Sequence, residues 1–235
     1  MIKYKRILFK VSGEGMMGNK DFGHDPDAID VICRQIINVY DQGFEICLVV
    51  GGGNIFRGIS AQGSTMERVS ADYMGMLATC INALALQNAL ETRGIQTRMQ
   101  SAIPIDTICE RYVKRKAVRH LEKKRIVIFA SGTGNPFFTT DTASVLRAIE
   151  TNCDVILKGT QVDGVYSSDP KKDKDATFFD QLTHKQVIDR DLKVMDTTAI
   201  TLARDNKLPI LVFSIKEENA LLNVLNGQGK FTLIK

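Results

Sequence analysis

Two lysines stand in matching places. Lys10 closes an apolar run over 4–11 and precedes Val11-Ser12-Gly13, and Lys158 closes the run over 154–158 and precedes Gly159-Thr160. A cation at the end of a strand, beside a turn that lacks a Cβ, is placed to meet an anion such as phosphate. For either lysine alone the plainer alternative is a surface position. Arg57 follows the triple glycine of GGGNIFRG, and its planar guanidinium suits two-point contact with phosphate. Asp72, in SADYMGM, opens a long apolar run; it can cap a helix or meet a ribose hydroxyl. The three histidines, His24, His120 and His184, lie far apart in polar stretches. No His-centred triad or metal site is expected, and no Cys/His spacing of zinc type is present.

The run GTGNPFFTTDTA over 132–143 is the most distinctive. Gly134 and Asn135 precede Pro136, Phe137 and Phe138 offer stacking or packing surface, and Thr139, Thr140 and Asp141 fall at a helix start. Thr140 or Asp141 can cap that helix, and a helix N-terminus also attracts phosphate, so the two readings coexist. Residues 162–166, then Asp169-Pro170, read as a turn and a strap, and Asp196 in KVMDTTA opens another helix with capping as its plain role. Familiar nucleotide motifs are missing. There is no GxxxxGK[ST], Phe137 stands where a third glycine would complete GxGxxG, and there is no HRD or DFG pair.

The elements that must hold these residues alternate. Strands are expected at 4–11, 44–50, 95–99, 125–130, 154–158, 210–213 and 231–234. Helices are expected from Pro26 to Gly43, at 69–93, 140–151, 198–205 and 217–225, with a turn-rich stretch over 163–180. Short apolar strands between amphipathic helices predict an α/β fold with a mainly parallel sheet covered on both faces. Four strands end in small or hydroxyl residues: Ser12-Gly13, Gly51 to Gly53, Ser131 to Gly134, and Gly159-Thr160. Ligands of open parallel sheets bind outside the carboxyl ends of the strands, so four such ends predict a site for something large and highly phosphorylated. The 69–93 helix is apolar around much of its circumference. It is expected either to bury one face and meet a subunit with another, or to be wholly internal.

The chain has 235 residues, 44% hydrophobic and 25% charged, which predicts one large domain or two intimate lobes and excludes disorder and coiled coil. No run approaches 18 uninterrupted apolar residues, and the first apolar run is cut by Lys10, so neither a membrane span nor a signal peptide is expected and the cytoplasm is the expected compartment. Five widely spaced cysteines agree with reduced core thiols. The net charge of +4 is concentrated in 111–125, where eight basic residues face Glu122 alone. A nucleic-acid surface is one reading. A solvated helix face is preferred, because Tyr112 is the one aromatic there for base stacking.

Taken in order and spacing from about Tyr4 to the C-terminus, KVSGE, VVGGGNIFRG, DYMGML, SGTGNPFFTTDTA, LKGTQVDGVYSSDP and KVMDTTAITLARD resemble the bacterial uridylate (UMP) kinases of the amino acid kinase superfamily. The resemblance implies a three-layer αβα sandwich forming a single domain over 1–235, with a UMP lobe to about residue 150 and an ATP lobe over 151–235, assembled as a homohexamer. It implies that Lys10, Val11, Ser12, Gly13, Gly53 and Arg57, with Thr160, Tyr166 and Asp169, bind ATP. UMP would lie against Gly52, Asp72, Thr133, Gly134, Asn135, Pro136, Phe137, Phe138, Thr139 and Thr140. Lys10, Arg57 and Lys158 would act on the transferring group, with Asp141 and Asp196 orienting the lysines and ordered water or magnesium. The implied reaction is ATP + UMP giving ADP + UDP in pyrimidine biosynthesis, with Mg²⁺ carried as Mg-ATP and no protein-held metal.

GTP or UTP is the implied effector. GNKDFG over 18–23 aligns with a loop tied to GTP activation, while the helix around Gln87, Asn88 and Glu91 lacks the basic residues expected of an effector site. Neither a membrane nor a nucleic acid is an expected partner. Another amino acid kinase, acting on a carbamate or carboxylate, is the nearer alternative, but such an acceptor needs neither Asp72 nor the GTGNPFFTT run. A nucleic-acid-binding regulator is the alternative of a different class.

Overall fold

Strands that are apolar on both faces need cover on both, and the sequence supplies helices for each side. The computed structural model describes residues 4–56 and 66–235; Arg57 lies outside them. Among the described residues nine strands form one sheet in the order β4 (Glu110–Arg111), β3 (Thr97–Ser101), β5 (Ile126–Ala130), β2 (Glu45–Val50), β1 (Arg6–Val11), β6 (Val155–Thr160), β10 (Ile210–Ser214), β11 (Phe231–Ile234) and β9 (Gln181–Leu182). All neighbours run parallel except β10 and β11. A separate antiparallel pair joins β7 (Val165–Tyr166) to β8 (Phe178–Phe179).

Side chains alternate across a strand, and two buried cores follow from that alternation. Ile7, Phe9 and Val11 of β1 belong to the core shared with α2 (Pro26–Asp41), α3 (Arg68–Glu91) and α8 (Ala220–Leu225). Leu8 belongs to the opposite core, with α4 (Lys114–Glu122), α5 (Thr140–Glu150) and α7 (Thr197–Asp205). Lys10 shares Leu8's face and Lys158 shares that of Ile156, so both lysines are aimed toward α5. Helix α2 starts as the residues require: Asp25 accepts the Asp27 N–H at 3.0 Å and Pro26 takes the first helical position. Its buried Ile32, Cys33, Ile36 and Val39 follow the 3.6-residue repeat. Helix α4 buries Ala117 and Leu121, four apart, and exposes Lys114, Arg115, Lys116 and Arg119, which is the solvated basic face expected of 111–125.

Observed boundaries differ from the expected ones in a few places. Gly159 and Thr160 belong to β6 itself. The 217–225 helix begins only at Ala220, because Asn219 adopts a left-handed backbone with φ 59°. The sequence reading passes over α1 (Gly13–Met17) and α6 (His184–Asp189), each under two turns and too short for a periodic pattern. By length and mean hydropathy α3 is long and apolar enough to cross a membrane, alone among the described helices. Here it packs on the sheet and buries Asn82 and Thr79 along with its apolar residues, the arrangement of a core helix.

Candidate active site

Strands β5, β2, β1 and β6 are consecutive and parallel, so their carboxyl ends share one edge. The small-residue segments singled out in the sequence therefore lie side by side. Close approach explains two of the glycines. A Cβ on Gly13 would stand 2.5 Å from Asn54 Oδ1 and 2.8 Å from Gly53 N, and one on Gly52 would stand 2.9 Å from the Gly75 carbonyl of α3. A side chain at Gly13 would push the two loops apart, and one at Gly52 would push the glycine loop off α3. Ser12 caps α1, its Oγ accepting the Gly15 N–H at 3.1 Å.

Lys10 and Lys158 are register partners across β1 and β6, and both reach Asp141 in the first turn of α5. Lys10 Nζ lies 3.2 Å from Oδ1, and Lys158 Nζ lies 2.9 Å from Oδ2. The three side chains are largely enclosed, at 12%, 12% and 17% exposure. Burial pushes the Asp141 carboxyl up, but Lys10 and Lys158 outweigh it and hold the group below its ordinary value. Burial pulls the Lys158 ammonium down, and Asp141 offsets that only in part. Lys158 also donates to the Val194 carbonyl. Two cations thus contact one buried carboxylate, with Asp196 acting on Lys158 as a further anion, and both ammonium groups stand where an incoming anion can meet them. The Lys10 contact with Oδ1 is the longer and less well aligned of the two.

The start of α5 is fixed from two sides. Thr139 caps it, accepting the N–H groups of Asp141 at 3.1 Å and Thr142 at 3.2 Å. Asp196 caps α7 through the Ala199 N–H at 3.0 Å and accepts the hydroxyls of Thr142, at 2.9 Å, and Thr139. The capping role expected of Asp196 is present, and the same carboxylate also ties α7 to α5.

Two clefts flank the lysine cluster. The first, about 270 Å³, lies between the 51–56 loop, the start of α3 and the 132–140 loop, and brings together Gly52, Gly53, Asp72, Thr133, Phe138, Thr139 and Thr140. Asp72 spans it: Arg68 Nε donates to both carboxylate oxygens at 2.9 Å, and Oδ2 also accepts the Phe137 N–H at 2.8 Å. Within the loop Thr133 Oγ1 donates to the Asn135 carbonyl and accepts the Asn135 N–H, each at 3.2 Å. Phe137 and Phe138 remain exposed.

The second cleft, about 550 Å³, brings together Lys158, Thr160, Tyr166, Asp169 and Val194. Thr160 Oγ1 donates to the Val162 carbonyl at 2.6 Å, and Asp169 accepts the Lys171 N–H at 3.0 Å. Tyr166 donates to Asp163 at 2.6 Å and accepts from Lys230 at 2.9 Å, while Lys230 pairs with Asp163 at 2.7 Å. Partial burial raises the Asp163 carboxyl, and its bonds from Lys230 and Tyr166 more than reverse this. The sequence reading did not single out Lys230, Val194 or Thr142. Thr142 follows Asp141 in a motif already marked, but nothing near Lys230 signals its place. Among the described residues no three His, Cys, Asp or Glu side chains are grouped to hold a metal ion.

Comparison with known proteins places the chain. The model of the amino acid kinase family matches residues 5–214. The uridylate kinase of Wolbachia sp. subsp. Brugia malayi (strain TRS) is 60% identical over 233 residues, 99% of this chain and 94% of the relative. The crystal structure of UMP kinase from Bacillus anthracis superposes with a TM-score of 0.96 at 40% identity, covering 99% of this chain and 96% of that one. The structure of UMP kinase from Ureaplasma parvum gives 0.94 at 39% identity and covers both chains fully. The chain therefore belongs to the amino acid kinase family and, within it, to the uridylate kinases, which are nucleoside monophosphate kinases.

Proposed function

We propose that the chain moves the γ-phosphoryl group of Mg-ATP onto UMP at the Lys10–Asp141–Lys158 cluster, giving ADP and UDP. The observation that carries this reading is the cluster itself, two enclosed lysines on one carboxylate at the sheet edge where the two clefts lie. The acceptor is a phosphate whose second pKa is about 6, so it is largely ionised at neutral pH and needs no general base. An oxygen of UMP attacks the γ-phosphorus, the bond to the bridging oxygen breaks, and ADP leaves with that electron pair. The obstacle is repulsion between two polyanions. Lys10, Lys158 and the amides of Gly13, Gly52 and Gly53 offset it, and the clefts hold the reactants in line. Arg57, outside the described residues, is assigned to the same task. Magnesium arrives with ATP, whose oxygens and water hold it, and supplies further charge to the donor phosphates.

In this reading the cleft beside Asp72 takes UMP, with Asp72 at the ribose or base and Thr133 to Thr140 along the pocket. The cleft beside Thr160, Tyr166 and Asp169 takes ATP, its phosphates reaching Lys10, Val11, Ser12 and Gly13. Residues to about 150 act as the acceptor lobe and 151–235 as the donor lobe. Asp141 and Asp196 keep the lysines and the head of α5 in place. The exposed Tyr73, Met74, Leu77, Ile81 and Leu84 of α3 form an apolar stripe that a second subunit would cover. A homohexamer in the cytoplasm, tuned by GTP or UTP, completes the proposal.

The test is an ADP-release assay with purified protein, Mg-ATP and, separately, UMP, CMP, GMP and AMP. Strong preference for UMP is expected, and equal rates with all four would overturn the assignment of the acceptor cleft.

A further inference from the structure

Helix α3 carries two polar residues on its buried face, one turn apart, and each holds a different loop of the site. Thr79 is 4% exposed; its hydroxyl donates to the Met76 carbonyl at 2.6 Å and accepts the Ser131 N–H at 2.8 Å. Ser131 needs that support. It is fully buried, it opens the 131–139 loop, and its backbone is left-handed at φ 60°, a conformation that is unfavourable for a residue with a Cβ. Its hydroxyl bonds to Ser101 Oγ at 2.7 Å and Cys80 Sγ at 3.1 Å, and its carbonyl accepts the Gly134 N–H at 2.9 Å. The turn that begins the loop thus hangs on Thr79.

Asn82 does the same for the 51–56 loop. It is fully buried, and Nδ2 donates to the Gly51 carbonyl and to Asn54 Oδ1, each at 2.6 Å. Its Oδ1 accepts from Asn54 Nδ2 at 3.2 Å and bonds to His24 Nε2 at 2.6 Å. Asn54 in turn donates to the Gly23 carbonyl at 2.8 Å, and its Oδ1 is the atom that a Cβ on Gly13 would strike first. Asn82 therefore sets the height of the glycine loop against the loop that follows Lys10.

We infer that Thr79 and Asn82 are positioning residues for phosphoryl transfer, a two-point clamp in which Thr79 aligns the acceptor loop through Ser131 and Asn82 aligns the glycine loop through Gly51 and Asn54. Thr79 also lines the Asp72 cleft, but the polar atoms of both residues are taken up by the protein. The Thr79 hydroxyl has spent its one proton and one lone pair on the protein, and the Asn82 amide is occupied at both ends. The inference rests on the proposed placement of UMP in the Asp72 cleft. It assigns the two ends of the clamp to different kinetic constants.

The experiment is steady-state kinetics of the full chain with thermal unfolding measured beside it. Thr79→Val keeps the side-chain shape and orphans the Ser131 N–H. KM for UMP is expected to rise roughly tenfold, the scale of an unsatisfied buried donor, with KM for Mg-ATP unchanged. Thr79→Ser restores the hydroxyl and is expected to return KM for UMP to the wild-type value. Asn82→Asp removes the donors to Gly51 and Asn54 and is expected to lower kcat roughly tenfold while leaving KM for UMP in place. Each kcat is referred to the folded fraction read by thermal unfolding; a merely structural role would leave that corrected kcat and both KM values at the wild-type level in both variants, and that result overturns the inference. If Thr79→Val does not fold, Ser101→Ala removes another hold on Ser131 and is read by the same criterion. The wild type separates the two claims. No UMP-dependent turnover in the wild type overturns the proposed function and this inference together. UMP turnover in the wild type, with KM unmoved in Thr79→Val, overturns this inference alone.

Discussion

The two clefts near the lysine cluster are built differently. The Asp72 cleft is framed by short loops, and the side chains that hold them, Thr79, Asn82, Asn54 and Ser131, are buried. The Tyr166 cleft is framed by a longer strap pinned inside by one buried bond, from the Val165 N–H to Thr232 Oγ1 at 2.8 Å, and otherwise fastened from outside: Lys230 and Asp163, 49% and 33% exposed, pair with each other and with Tyr166, and Lys230 sits 4.4 Å from the Phe178 ring centroid. A buried hydrogen bond that loses one partner leaves the other orphaned, at about 1–3 kcal/mol. An exposed ion pair is worth about 0–1 kcal/mol. The first cleft, with four buried polar holds against one, should therefore be the stiffer and less tolerant of change, and the second the more compliant where Lys230 fastens it. Of the lysine cluster, Lys158 lines the second cleft, and Asp141 follows Thr139 and Thr140 of the first in the chain.

Substitutions can break that comparison at several strengths. Lys10→Ala strikes the lysine cluster, and kcat is expected to fall by roughly 10²–10³; steady-state rates at saturating substrates decide it, and unchanged turnover would remove Lys10 from the mechanism. Asp141→Asn leaves two ammonium groups without their anion, and kcat is expected to fall by roughly tenfold or more. The same variant carries a pH signature. Asp141 titrates below its ordinary value of 3.8 in the folded chain, so its stabilisation is full above that value and is lost as pH falls through the depressed one. The gap in Tm between wild type and Asp141→Asn should be widest near neutrality and close on the acid side; a gap that widens with acid would contradict the sign.

Gly52→Ala tests the stiff cleft directly. Its Cβ would stand 2.9 Å from the Gly75 carbonyl and from Ala78 Cβ, and about 1–3 kcal/mol of stability should be lost, read by denaturant unfolding. Lys230→Ala tests the compliant one. It should leave stability within about 1 kcal/mol and raise KM for ATP only a few-fold; a loss as large as that of Gly52→Ala would erase the distinction between the clefts.

Much of this arrangement could be read before the fold was seen. The strand ends at Ser12-Gly13, Gly51 to Gly53 and Ser131 to Gly134 announce themselves by residue type, and Pro26 and Asp196 mark helix starts through local chemistry. That these strands are neighbours could not be read, because sheet order is set by packing between distant segments. The contact of Lys10 and Lys158 with one carboxylate depends on that order, and only the resemblance suggested it. Thr79 and Asn82 were hidden for another reason. They sit in a helix so apolar on all sides that its buried face cannot be picked out by periodicity, and two polar residues three apart look like surface positions. Lys230 lies far along the chain from Asp163 and Tyr166, and no local pattern joins them.

The most direct measurement is an experimental structure of the chain with Mg²⁺, a non-hydrolysable ATP analogue and UMP bound together. The account predicts the two phosphate groups end to end beside Lys10 and the Lys158–Asp141 pair, with the uridine beside Asp72 and the adenosine beside Tyr166. Nucleotides bound apart from each other, or away from the edge formed by β5, β2, β1 and β6, would contradict it.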